Sequence, residues 1–178
     1  MNYITVRRVG DSPMREFQSK VAGLIVESVQ EIFSAYLFMD AQPGPVRMSP
    51  GGEIYRPPNT EVLAMVGYSG SLMGGMHLAA PDYVACKLSG AFAGIELETL
   101  DADGSDAFGE LANLVAGGVQ TRLMEAHGFG EITLTPPTVS IQGQMDFVYR
   151  DDLEYVQQYF KFAGGLMFAE CFFVPPDI

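Results

Sequence analysis

The chain has 178 residues, room for one domain with a sizeable core and too few for two of ordinary size. Its 48% apolar and 18% charged residues describe a globular chain and exclude a disordered one. Ten basic residues against 22 acidic ones give a net charge of −12, which excludes a nucleic-acid partner and repels free phosphorylated metabolites.

In chain order, residues 1–11 carry no strong pattern, and their opening apolar stretch is too short for a secretory leader. No run reaches the roughly 18 apolar residues of a membrane span. A soluble, cytoplasmic protein without a membrane partner is expected. Apolar spacing predicts a helix over 14–37, then a loop through Gln42, Pro43, Gly44 and Pro45. Strands follow near 61–69 and 72–79, joined by a turn at 68–71 in which Ser69 reads as a turn residue. Pro81 and Asp82 suit the start of a connecting helix over 83–92. A turn-rich run at 101–105 opens a second long helix, 105–127, and Gly128 is a natural stop after His127. A strand is predicted near 131–142. Its Pro136 and Pro137 exclude a central position and mark a strand entry or an edge, as a stiff loop or as a contact for a partner. Strands near 154–163 and 166–174 close the chain around Gly164 and Gly165. This long apolar hairpin is expected to offer a free edge for pairing.

Sliding the chain against itself by 94 residues aligns Gly70, Leu72 and Met73 with Gly164, Leu166 and Met167, and Pro81 with Pro175. It also sets Val21, Ala22 and Gly23 on Val115, Ala116 and Gly117, Glu16 on Glu110, and Ser12 on Asp106. Several matches at one ungapped offset predict a duplicated unit, about 12–81 and 106–175, within a single domain. The two long helices are expected to pack on each other with Gly23 and Gly117 near the contact. A partner's backbone approaching Gly117 is the alternative.

The second long helix carries the chemistry. Asp106, Glu110 and Asn113 are spaced four and three apart and share one face, while Phe108, Leu111, Leu114, Val115 and Leu123 supply the other. No basic residue interrupts that face before Arg122, and Gly117 leaves it bare a turn beyond Asn113. A helix showing carboxylates and a carboxamide beside a bare patch can receive another molecule. In the first unit Ser19 stands where the shift places Asn113, which predicts one live face and one relic. Asp106 reads as either a docking residue or an aid to the helix start, the latter preferred because acids favour a first turn.

Other chemistries find little support. His77 and His127 have no ligand-spaced partners; they read as a strand histidine and a helix-terminal residue. Cys86 and Cys171 read as buried free thiols, and Met65, Met73, Met76 and Met167 as core. There is no phosphate-binding loop ending in Lys-Ser/Thr and no nucleophile elbow.

The spacing of Asp106, Glu110, Asn113 and Pro136, with 22 residues between the last two, resembles the motif of the CheC/CheX/FliY phosphatases of bacterial chemotaxis. A single live motif with a decayed first copy is most like the CheX branch. The resemblance implies an α+β fold, with two long helices side by side on an antiparallel sheet, and a homodimer. It implies hydrolysis of the aspartyl phosphate on a CheY-type response regulator, with Asn113 as the catalytic carboxamide and Glu110 as its anchoring partner. Asp106, Gly117 and Pro136 would face the regulator. No cofactor of its own is implied; Mg2+ would arrive on the regulator. Two other readings remain: a non-catalytic module that binds a response regulator or another signalling protein, and a general ligand-binding domain.

Overall fold

A computed structural model describes residues 13–50, 60–141 and 153–176. Helix α1, Pro13–Ile32, opens on a proline whose fixed φ suits a first helical position. Phe17, Val21, Leu24, Ile25, Val29 and Ile32 recur at three- and four-residue spacing and form its buried stripe. The helix widens into a π-helical turn, Phe33–Leu37, closed by Phe38 in the left-handed region at φ 53°. The expected helix 14–37 is therefore present, with a wider last turn.

The stretch expected to be a proline loop is instead a strand, β1, Gln42–Met48. It pairs antiparallel with β6, Glu154–Phe162, on one side only, and its register slips between Pro43 and Val46. Proline is tolerated there because an edge strand leaves half its donors unused and a bulge absorbs the missing bonds. The first hairpin is β2, Val62–Gly70, and β3, Gly74–Ala80. Its turn falls one step later than expected, so Ser69 lies in β2, opposite Thr133. Helix α2, Asp82–Ala93, starts after Pro81 and ends on left-handed Gly94. Helix α3 spans Ala102–His127, capped by the Asp101 carboxylate, which accepts from Gly104 N at 2.9 Å, and stopped by Gly128 at φ 69°. The predicted strand 131–142 forms as two pieces, β4 Ile132–Leu134 and β5 Thr138–Ile141, and β7, Gly165–Phe173, completes the second hairpin.

The sheet runs β1-β6-β7-β3-β2, with β4 and β5 both on the outer side of β2. Hairpin β6–β7 is thus interior, not the free edge expected of it. β1 covers β6, a pairing that no local pattern around residue 154 announces. Among the described residues the free edges belong to β1 and to β4 and β5. The 94-residue shift carries α1 toward α3, β1 toward β5, β2 toward β6 and β3 toward β7, and the two hairpins meet at the β3–β7 pair.

Three helices pack on this antiparallel sheet. α1 and α3 lie against each other and run in opposite directions. Phe17 near the start of α1 meets Phe129 beyond the end of α3 at 5.5 Å, and Ser28 Oγ donates to Val115 O at 2.8 Å. The close approach differs from the expected one. A Cβ on Gly118 would come 2.1 Å from Ser28 Oγ, whereas on Gly23 it would meet nothing within 4 Å and on Gly117 only Leu134 Cδ1 at 3.8 Å. The phase of the two helices turns Ser28, not Gly23, into the groove. Beneath them lies one core in which Phe33, Phe108, Phe160, Phe173, Leu111 and Leu123 are fully buried, each side chain contributing about 1.5–3 kcal/mol. Tyr68 ties sheet to helix by donating its hydroxyl to Ala116 O at 2.8 Å. Met76 and Met167 join the core and Met65 is half-buried, but Met73 is exposed in the β2–β3 turn.

Candidate functional site

The site grows from the way α3 is buried. Phe108, Leu111, Val115 and Leu123 face the core and Leu114 is half-buried, which forces Asp106 and Glu110 into solvent and leaves Asn113 half-buried at the margin. None of these three polar side chains has a hydrogen-bond partner among the described residues. A carboxylate and a carboxamide therefore stand one turn apart, unengaged. Asp106 lies more than a turn past the helix start. Asp101 and Asp103 occupy the cap and first turn, which corrects the reading of Asp106 as an aid to helix initiation.

The edge strand supplies a wall beside this face. Leu134 pairs with Tyr68 and Thr138 with Met65, so residues 135–137 oppose only Gly67 and Val66. One residue too many makes a β-bulge, and it holds both prolines where no ladder donor is needed. Thr135 pins the bulge: its N–H donates to Gly67 O at 3.0 Å and its Oγ1 accepts from Gly67 N at 2.8 Å. The bulge reaches α3 at Gly109, where a Cβ would be 3.4 Å from Pro137 Cβ. Pro137 is thus brought against the motif helix, with the exposed Pro136 next to it in the chain, at a sheet edge as expected. Gly117 lies on the same side of α3, over Leu134. Gly109 and Thr135 were not marked by the sequence; a glycine just before Glu110 in a helix interior was the available signal.

The corresponding face of α1 is differently occupied. Glu16 pairs with Lys20 at 2.9 Å, and that hydrogen bond, with the lysine's charge, holds the Glu16 carboxyl below its ordinary range. Ser19 Oγ donates back to Arg15 O at 2.9 Å. Here the carboxylate is already neutralised in cis and the hydroxyl is spent on the helix itself. The i,i+4 spacing of Glu16 and Lys20 was legible in the sequence and went unused.

Elsewhere the polar groups are structural. His77 is a buried strand histidine as expected, but a carboxylate reaches it from the neighbouring strand: Nδ1 lies 3.1 Å from Glu170 Oε1, and Gln157 Nε2 donates to Glu170 Oε2 at 3.1 Å. A second buried set joins α1 to the sheet, with Gln18 Nε2 donating to Ser49 Oγ at 2.9 Å and to Glu154 Oε2 at 3.0 Å. Among the described residues no three His, Cys, Asp or Glu gather as a metal site requires. Cys86 and Cys171 are free and buried, and burial pushes the Cys171 thiol far above its ordinary range. No helix among the described residues is long and apolar enough to cross a membrane.

Comparison with known proteins agrees with this fold. The family model described as "Chemotaxis phosphatase CheX" matches residues 62–161, a span that holds α3, its motif and Pro136. A chemotaxis protein CheX from Desulfovibrio desulfuricans superposes with a TM-score of 0.73 at 19% identity, over 86% of this chain and 99% of its own. CheX from Vibrio vulnificus gives a TM-score of 0.70 at 19% identity, over 86% of this chain and 99% of its own. A CheX–CheY–BeF3–Mg2+ complex from Borrelia burgdorferi matches with a TM-score of 0.68 at 16% identity, covering 86% of this chain and 97% of that one. No curated protein matches the chain. With its family model spanning more than half the sequence and its helices laid on the same antiparallel sheet, the chain belongs to the chemotaxis phosphatase CheX family.

Proposed function

We propose that the chain hydrolyses the aspartyl phosphate of a CheY-type response regulator, with Asn113 as the catalytic carboxamide and Glu110 as its anchor. The observation that carries this reading is the pair itself, exposed Glu110 and half-buried Asn113, on one helix face within the family's matched span and without a hydrogen-bond partner among the described residues. The Borrelia burgdorferi relative, solved as a CheX–CheY–BeF3–Mg2+ complex, supports a CheY-type partner.

An acyl phosphate is already activated, so its hydrolysis needs a water held in line with the departing carboxylate more than it needs a strong base. The Asn113 carbonyl oxygen accepts a hydrogen bond from that water, and its NH2 donates toward the phosphoryl group. The water oxygen forms the new bond to phosphorus as the bond to the aspartyl oxygen breaks. The regulator recovers its carboxylate, and the water's proton passes to the phosphate or to solvent. Being uncharged, the amide does not repel the phosphoryl oxygens. Mg2+ carried by the regulator would neutralise their charge. Glu110 pairs with a regulator lysine beside the phosphorylated aspartate. Asp106, Gly117 and Pro136 form the rest of the docking face. Between Lys87 and Arg122 the exposed Glu96, Glu98, Asp101, Asp103, Asp106 and Glu110 have no basic neighbour in sequence, a field that favours a lysine-bearing partner surface.

The protein acts in this reading as a cytoplasmic homodimer built from a duplicated unit. The edges that β1 and β4 with β5 leave open among the described residues support the dimer, and the matching order of elements in the two halves supports the duplication. The test is phosphate release from a phosphorylated CheY-type regulator by the wild type and by Asn113→Ala. Loss of release in the variant with regulator binding kept supports catalysis. Binding without any release by the wild type assigns a non-catalytic module instead.

A further inference from the structure

Gly109, Asn113 and Gly117 sit four residues apart in α3 and form one row along the helix. The row looks onto the edge strand. A Cβ on Gly109 would lie 3.1 Å from Val139 Cγ2 and 3.4 Å from Pro137 Cβ, and one on Gly117 would lie 3.8 Å from Leu134 Cδ1. Strand and helix therefore run in opposite senses, which sets Asn113, midway along the row, opposite Thr135 and Pro136. The approach is tightest at Gly109, where an added methyl would have to displace its neighbours. They yield poorly. Pro137 is a rigid ring and Val139 is held in register with Ala64, while Thr135 and Thr138 on either side of the prolines are fastened to Gly67 by two hydrogen bonds and registered with Met65. Glycine within a helix is less stable than alanine by about 1 kcal/mol, so Gly109 stands against local propensity.

We infer that Gly109 is a positioning residue for the proposed phosphatase reaction. By letting the proline bulge seat directly on α3, it sets the wall that orients the Asn113 carboxamide. The inference rests on the phosphatase reading for its kinetic consequence, not for its geometry.

Gly109→Ala tests it, with Gly23→Ala as control. Both variants gain the same helix propensity, but a Cβ at Gly23 meets nothing within 4 Å. Gly109→Ala is expected to turn over phosphorylated regulator about tenfold more slowly with KM unchanged, since small misplacements of an aligned group fall on the chemical step. Gly23→Ala should match the wild type. The NMR signal of the Asn113 side-chain amide, identified by its loss in Asn113→Ala, should move in Gly109→Ala and stay in Gly23→Ala. Wild-type turnover in Gly109→Ala, a rise in KM with kcat kept, or an unmoved Asn113 amide would each overturn the inference. If the wild type releases no phosphate, the phosphatase reading falls, and the amide signal still decides whether Gly109 positions Asn113.

Discussion

Asn113 bonds to no other described side chain, so its removal orphans nothing. Asn113→Ala should leave stability within about 0.5 kcal/mol of the wild type. Turnover of phosphorylated regulator should fall about 100-fold or more, because the amide acts where charge and bond order change. Thermal melts and phosphate release measured side by side check both halves of that expectation. Glu110 is exposed and has no ion-pair partner among the described residues, and its proposed counter-charge comes from the partner. Glu110→Ala should weaken regulator binding as well as turnover, and the gap to the wild type should narrow as salt rises. Titrations at low and high ionic strength read this directly. A constant gap would mean that Glu110 acts through something other than a screened charge pair.

The elements explain why the two faces differ. On α1, Lys20 already holds Glu16 and Ser19 is bonded back to its own helix. The bulge of the adjacent edge strand falls between Pro43 and Val46, with no described counterpart of the Thr135 clamp. Ser19→Asn is therefore expected to add little to turnover. A rate rising toward twice the wild type would show that the first face is still shaped for catalysis. The packing of α1 on α3 is set at Ser28 and Gly118, where a Cβ would come 2.1 Å from a hydroxyl that also bonds Val115 O. Gly118→Ala should lose about 1–3 kcal/mol to overpacking despite alanine's better helix propensity. Denaturant melts measure the loss, and Gly117→Ala, with 3.8 Å of room, should show a much smaller one.

At the scale of the whole molecule, the sheet of the described residues leaves two edges, β1 on one side and β4 with β5 on the other. Unpaired strand edges favour association of like chains. Light scattering at micromolar concentration is expected to report a dimer. A monomer would remove the homodimer from the proposal and leave the site on α3 unaffected. The interior place of β6 and β7 moves the expected contact from the 154–174 hairpin to these edges.

The chain's own pattern determined the two long helices, the hairpins and the row of Asp106, Glu110 and Asn113. Helical periodicity, caps and turn residues are local properties, written within a few residues of where they act. The prolines by themselves implied an edge. What decided the rest was contact across long stretches of chain. Whether the residues around Pro43 and Pro45 form a loop or an edge strand depends on β6, more than a hundred residues away. Which helix residues meet depends on the rotation of α1 about its axis, which one-dimensional spacing leaves free, so Ser28 on Gly118 replaced Gly23 on Gly117. A bulge exists only once a strand has a partner to be out of step with. For that reason the clamp of Thr135 on Gly67, and the seat that Gly109 offers the prolines beside Asn113, belong to the tertiary structure.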